Sequence, residues 1–289
     1  MGDLLPFVVL GLAFGGVYSL SGVGTVVLFR ATAVLNLASG AVGAFGALLA
    51  WTLIVENGVP QLWGFLAAIG AGTGITVLWG VLLGPRFAAR DGLEKAIGTL
   101  GLMLVLLGTM SLVWGSDARA LTLPSTAISV EVAGAYVTGT QIIAIVLALV
   151  ATVVTTLFLR FTRLGTAMRA MADDREVTSM LGVPVRRVEA AAWFVSGLLS
   201  SVTGLLMTGL VGLDVTSLTF LIIPALAAAV VGRLRSLWVT FGTGFAIGVV
   251  QSCLTSFDAV SEYRNTTPFL LAIVMLLWLA WRRPLQTRV

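Results

Sequence analysis

The sequence contains no histidine and a single cysteine, Cys253, among its 289 residues. The first absence excludes His-ligated metal sites and histidine acid–base catalysis. The second excludes an intrachain disulfide framework. Charge is scarce too, with Asp, Glu, Lys and Arg making up only 10% of the chain. A soluble domain of this length could not cover its surface with so little charge. No GxxxxGK[ST] pattern occurs, so P-loop binding of ATP is excluded. Ionisable residues are nearly absent from the apolar stretches: Glu94 and Lys95 open one of them and Asp214 lies near the end of another. Ion-coupled carriers place carboxylates at mid-membrane, and an intramembrane hydrolase needs a Ser/His, Asp/Asp or metal-ligand set. Neither pattern is present, so no catalytic residue, metal ligand or cofactor is expected in this chain.

What remains is a 58% hydrophobic sequence whose apolar runs recur along its whole length. Such runs define an all-α, polytopic integral membrane protein forming one domain over residues 1–289. Nine segments qualify: 5–28, 34–55, 62–83, 94–114, 140–159, 190–211, 218–232, 236–255 and 267–282. The seventh and ninth are short, and Pro224 interrupts the seventh, so about 8–10 transmembrane helices are expected. The N-terminal MGDLLPF lacks a basic region, so the first segment is expected to stay as a span.

Orientation follows from the basic residues. With the N-terminus outside, 15 of the 17 Lys and Arg fall in inner loops, leaving only Arg119 and Arg264 outside. The C-terminus is then cytoplasmic. The net charge of +4 reflects this placement rather than nucleic-acid binding. Tryptophans frame the same bilayer: Trp51, Trp63 and Trp114 near outer ends, Trp79, Trp193, Trp238, Trp278 and Trp281 near inner ends. The 33 glycines cluster within the spans, for example GLAFGGVYSLSGVG at 11–24 and FGTGFAIG at 241–248, where small residues allow close helix approach. Uncharged polar residues also lie in or beside spans: Asn36, Ser39, Thr99, Gln251 and Ser252. Each is read first as a hydrogen-bonding partner of a neighbouring helix; Asn36, Ser39 and Thr99 are the candidates for a solute path.

One long polar run breaks the apolar pattern, RFTRLGTAMRAMADDREVTSMLGVPVRRVE at 160–189. The charge count places it in the cytoplasm. Residues 166–181 read as one short helix with Ala167, Ala170, Met171, Asp174, Val177, Thr178 and Leu181 on one face. Gly182 ends it and Pro184 prevents its continuation. A carboxylate on the apolar face disfavours a helix lying on lipid and fits a helix docked on a protein partner.

Residues 164–206 resemble the cytoplasmic loop and following span of LivH-like permeases, the membrane subunits of ABC importers for branched-chain amino acids. Gly165, Arg169, Ala170, Asp174, Gly182, Arg187, Phe194 and Ser196 match that pattern in order. GLAFGGVYSLSGVGTVVLFRATAVLNLASG resembles the family's first span and its LNFAHG-type signature, with Ser39 where that signature usually has His. GPRFAARDGLEKAIGTLGLML resembles the stretch after the third span. VGRLRS at 231–236 departs from the usual Gly-Gly-x-Gly-Ser and makes that inner loop more basic. The resemblance implies an importer permease in a bacterial inner membrane. Its expected partners are two ABC ATPase subunits holding ATP and Mg, a second, LivM-like permease subunit, an extracytoplasmic solute-binding protein, a small-molecule solute and membrane lipid. It also implies that the 160–189 loop contacts the ATPase, with Gly165, Arg169, Asp174, Gly182 and Arg187 as coupling residues. An importer for amides or urea, a stand-alone channel or facilitator, and a membrane scaffold or receptor stand as alternatives.

Overall fold

The computed structural model describes residues 5–87, 90–115, 117, 119–132 and 135–255, with positions 270, 273–275, 277, 278 and 281 beyond them. Helix α1 (Leu5–Thr32) is the axis. Every residue from Ala13 to Leu28 is buried, as expected for a helix that is apolar all round. At 1.5 Å per residue it extends about 42 Å, longer than the ~30 Å hydrocarbon layer.

Around it stand α2 (Ser39–Trp51), α3 (Gln61–Leu82), the single turn α4 (Gly84–Phe87), α5 (Gly92–Trp114), α6 (Gly139–Phe161), the short helices α7 (Arg163–Asp173) and α8 (Arg175–Met180), α9 (Val185–Val211), α10 (Val215–Phe220), α11 (Ile222–Val231) and α12 (Leu237–Leu254). Helix α2 runs on into a π-helical turn, Thr52–Glu56. Among the described residues, seven helices are long and apolar enough to cross a membrane, and Val215–Val231 adds a shorter apolar stretch. These correspond to the first eight expected segments. The ninth, 267–282, lies largely outside the described residues. The seventh segment is broken, at Leu221 between α10 and α11, one helical turn before the position expected from Pro224. Proline is tolerated in the first turn of α11, where its missing N–H costs no intrahelical bond.

Helix α1 packs on α6, α9, α11 and α12, while α9 also packs on α2 and α3. Glycine makes two of these crossings possible. A Cβ on Gly248 of α12 would lie 2.2 Å from the Gly15 nitrogen of α1, and one on Gly204 of α9 would lie 2.2 Å from the Gly43 oxygen of α2. Backbones this close leave no room for a side chain, and dispersion between them replaces the hydrophobic force that lipid cannot supply. Tyr18 of α1 donates to Gln251 Oε1 of α12 at 2.7 Å across the same crossing, a bond of about 0.6 kcal/mol in such bundles.

The loop between α5 and α6 carries a small antiparallel hairpin, β1 (Ser129–Val132) and β2 (Ala135–Thr138), in register Val130 with Val137 and Glu131 with Tyr136. The alternation in SVEV and AYVT is its sequence signal. The tryptophan frame needs one correction. Trp63 and Trp238 are exposed, but Trp193 is 2% exposed, its indole packed where a Cβ on Gly80 would sit. Ring volume filling the α3–α9 contact, rather than interface preference, explains that tryptophan.

Candidate functional site

The polar run at 160–189 forms a compact element at one end of the bundle. Thr162 caps α7 by accepting the Gly165 N–H at 2.9 Å. Gly165 sits against the end of α6, where a Cβ would fall 2.3 Å from the Phe158 oxygen. The α6–α7 turn therefore admits only glycine at 165. Gly165, Met168 and Met171 form the buried stripe of α7, which packs on α1, α6 and α9.

The single helix expected over 166–181 is two helices. Asp174 leaves the helical region, with φ −153° and ψ 111°, and ends α7. Its Oδ1 then accepts the N–H groups of Glu176 at 2.9 Å and Val177 at 3.0 Å, opening α8. Asp174 is thus an exposed N-cap and lies on no apolar helix face. The physical reason is competition: a short carboxylate satisfies free backbone donors better than it continues a helix. The expected face is corrected with it. Met171 and Thr178 are buried, Ala167 is half-buried, Ala170, Val177 and Leu181 are exposed, and the buried Met168 was not on it.

Gly182 follows α8 at φ +80°, the left-handed conformation expected of a residue just past a helix C-terminus. Pro184 precedes α9, its carbonyl accepting the N–H groups of Arg187 at 2.9 Å and Val188 at 3.2 Å. Helix α8 is held to α9 by an ion pair between residues 14 apart in the chain. Both Arg175 Nε, at 3.0 Å, and Nη2, at 2.9 Å, reach Glu189 Oε1. The Glu189 side chain is 10% exposed, so the pair is desolvated on its acidic side. Lys95 lines the same cleft as Glu189, with Thr32, Val34 and Trp193. The outer edge of α8 is apolar: Val177, Met180 and Leu181 are 52%, 76% and 77% exposed.

Asp174 and Gly182 therefore bracket α8, while Gly165 and Arg169 belong to α7 and Arg187 is exposed on the first turn of α9. Arg169 and Asp174 form no ion pair. Arg169 Nη2 instead makes long contacts to the Arg160 carbonyl at 3.5 Å and Thr166 Oγ1 at 3.4 Å.

The second constellation lies where α1 turns into α2. Ala33, at φ +53°, starts the reversal. Thr99 of α5 holds it, accepting the Leu37 N–H at 3.2 Å and lying 2.8 Å from the Leu35 carbonyl, to which it donates. Asn36 Oδ1 accepts the Ala38 N–H at 3.1 Å. Asn36, Ser39 and Thr99 are thus brought together, all three buried. Thr99 is satisfied, whereas Asn36 Nδ2 and Ser39 Oγ find no hydrogen-bond partner. Neither do the buried hydroxyls of Thr73 on α3, Ser196 and Thr203 on α9 and Thr219 on α10, nor, apart from these, that of Ser252 on α12. These four helices, α2, α3, α9 and α10, form one packed group in which α2 contacts all the others. Buried polar groups normally find partners, so this concentration marks the least satisfied part of the interior. No sequence signal distinguishes Thr73, Thr203 or Thr219 from the other threonines of apolar helices. Among the described residues no group of His, Cys, Asp and Glu could hold a metal.

At the opposite end, Arg119 joins three elements. Its backbone exchanges hydrogen bonds with Leu213 at 3.0 Å, its guanidinium lies 4.8 Å from the Trp51 ring centroid, and Nη2 donates to the Trp114 carbonyl. Among the described residues, those assigned to inner loops and those assigned to outer loops thus gather at separate ends.

The family model described as "Branched-chain amino acid transport system / permease component" matches residues 7–279. The chain belongs to that family. Among its relatives, the high-affinity branched-chain amino acid transport system permease protein LivH of Salmonella typhimurium is 26% identical, the match covering 92% of this chain and 91% of LivH. BraD of Pseudomonas aeruginosa, named in the same terms, is 28% identical over 93% of this chain and 91% of BraD. A probable branched-chain amino acid transport permease protein LivH of Methanocaldococcus jannaschii is 24% identical, covering 82% and 76%. A permease of this family is a multi-pass membrane transport component, and the helical bundle described above is its architecture.

Proposed function

We propose that this chain is the membrane-spanning subunit of an ATP-binding-cassette importer that carries branched-chain or other small hydrophobic amino acids across a bacterial inner membrane. The observation that carries the reading is α8. In a chain of this family, a helix of six residues is capped at both ends and offers Val177, Met180 and Leu181 to a partner. Two ATPase subunits, a related second permease subunit and an extracytoplasmic binding protein complete the proposed assembly. The proposed orientation has the N-terminus outside and α7–α8 in the cytoplasm, in keeping with the positive-inside distribution.

In this mechanism α8 seats in a groove of an ATPase subunit and moves with it. The Arg175–Glu189 pair passes the displacement to α9, and the tight turn at Gly165 passes it to α6. Helix α9 packs on α2 and α3, so its tilt opens or closes the group holding Asn36, Ser39, Thr73, Ser196, Thr203 and Thr219. Differential contact of α8 with the two ATPase states supplies the energy. Solute passing this group gives its unpartnered donors and acceptors the partners they lack. Because all six groups are uncharged, a second reading is an importer of amides or urea; binding of leucine against urea to the cognate binding protein separates the two.

The test uses the chain reconstituted with its ATPase subunits. Asp174→Lys removes the cap of α8, and Gly182→Val puts a β-branched residue at φ +80°. Both should insert in the membrane and abolish solute-stimulated ATP hydrolysis. Full transport by either variant refutes the coupling role. Solute flux through the chain alone in liposomes refutes the importer in favour of a facilitator.

A further inference from the structure

At the α7 end of the bundle, four arginines from four separate places in the chain line one cleft of about 320 Å³. Arg30 comes from the last turn of α1, Arg160 from the last turn of α6, Arg169 from α7 and Arg235 from the turn joining α11 to α12. Thr156, Leu159, Ser236, Leu237 and Trp238 complete the walls. Among the described residues the ion pairs are Arg90–Glu94 and Arg175–Glu189, so none of these four guanidiniums is neutralised by one. Among the described residues, the Asp173 carboxylate acts on Arg30 against the repulsion of Arg169 and Arg235. Arg30 is half-buried and Arg160, Arg169 and Arg235 are exposed; like charges converging there repel one another, and an anion among them relieves that repulsion.

The turn that delivers Arg235 is itself strained. Arg233 and Leu234 both take left-handed conformations, at φ +56° and +53°. They close the end of α11, the Arg233 N–H donating to the Val230 carbonyl and the Leu234 N–H to the Ala229 carbonyl, both at 2.8 Å, which fixes where Arg235 emerges. The surroundings indicate where the anion comes from. Trp238, on the cleft wall, is 49% exposed, and indoles settle at the headgroup level of a bilayer. Beyond the cleft, α6 and α12 turn apolar residues outward: Val154 and Leu157 on the former, Val239 on the latter, each about half exposed or more. The cleft is thus basic at its mouth and flanked by apolar helix faces along the membrane.

We infer that the cleft binds the phosphate headgroup of an anionic phospholipid of the same leaflet, through Arg30, Arg160, Arg169 and Arg235, with its acyl chains along α6 and α12. Guanidinium forks match phosphate oxygens in pairs, and basic pockets between transmembrane helices hold such headgroups. Arg169 lies on α7 and Arg30 on the central helix, so an occupying headgroup ties the cytoplasmic helix pair to the core of the bundle. The site needs no property of the transported solute.

The purified full chain is equilibrated in detergent with phosphatidylglycerol or phosphatidylcholine, and bound lipid is counted by native mass spectrometry. Phosphatidylglycerol should remain at one per chain and phosphatidylcholine should not. The double variant R160Q/R235Q should weaken phosphatidylglycerol retention by roughly ten-fold. R160K/R235K should retain more than the Gln pair, which separates loss of charge from loss of fold. R86Q, on an exposed arginine outside the cleft, should bind as wild type does. Equal retention of the two lipids, or unchanged retention in R160Q/R235Q, overturns the site. Displacement of the lipid by inorganic phosphate assigns the cleft to a soluble anion and overturns the lipid source.

Discussion

Thr99 shows how much one hydroxyl can hold in an apolar interior. It accepts from Leu37 and its one proton lies between the carbonyls of Leu35 at 2.8 Å and Ala96 at 2.9 Å, so it ties the backbone of the reversal to α5. Valine has the same shape and neither capacity. Thr99→Val should therefore lower stability by about 1 kcal/mol, the cost of leaving those half-buried groups unpaired, while Thr99→Ser should stay near wild type. Thermal melting in detergent reads the difference. The Arg175–Glu189 pair makes a different prediction at the same scale. Arg175→Ala leaves the Glu189 carboxylate buried without its partner, which costs more than the pair itself contributes. Exchanging the charges, Arg175→Glu with Glu189→Arg, should recover a large part of the lost melting temperature in a double-mutant cycle. Recovery of nothing would mean that the loss comes from the packing of the Arg175 stem.

At the scale of the element, α7 and α8 divide the work of the polar run. Helix α7 is amphipathic toward the protein, with Met168 and Met171 buried. Helix α8 is amphipathic away from it. Substitution should separate the two. Met168→Asp puts a charge into the α1–α7 contact and should prevent recovery of folded protein. Met180→Asp and Leu181→Asp should leave melting unchanged and abolish co-purification of the ATPase subunits. Retained co-purification with both aspartates present would remove α8 from the interface. The division was only partly legible beforehand. The Gly182-x-Pro184 stop is local chemistry and reads directly from the chain. The break at Asp174 is also local, but a helical period runs through it, and the apolar spacing of Val177 and Leu181 looks the same whether those residues face the core or a partner.

At the scale of the whole molecule, the described residues form a bundle whose two ends gather different charges. A labelling experiment checks its orientation. In a Cys253→Ser background, Asn57→Cys should react with a membrane-impermeant maleimide on intact cells, and Leu181→Cys only after permeabilisation. The opposite pattern would invert the proposed topology. The first eight apolar segments were legible in the sequence because they depend on a one-dimensional quantity, the length of an apolar run, and the sorting of loops rests on another, the count of basic residues between runs. The cleft of four arginines and the Arg175–Glu189 pair were not, since each joins residues from separate elements whose neighbours are chosen by packing. Trp193 makes the same point. Its place near a span end is a sequence property, but its burial against Gly80 is not. The sequence by itself determined that this is a helical membrane protein with one polar element, because the bilayer punishes any other distribution of apolar and charged residues. Only the tertiary structure decided that the element is two helices facing opposite ways and that Asn36 and Ser39 lie with Thr73, Ser196, Thr203 and Thr219 in one packed group, because lipid leaves helices free to choose neighbours and close backbone fit makes the choice.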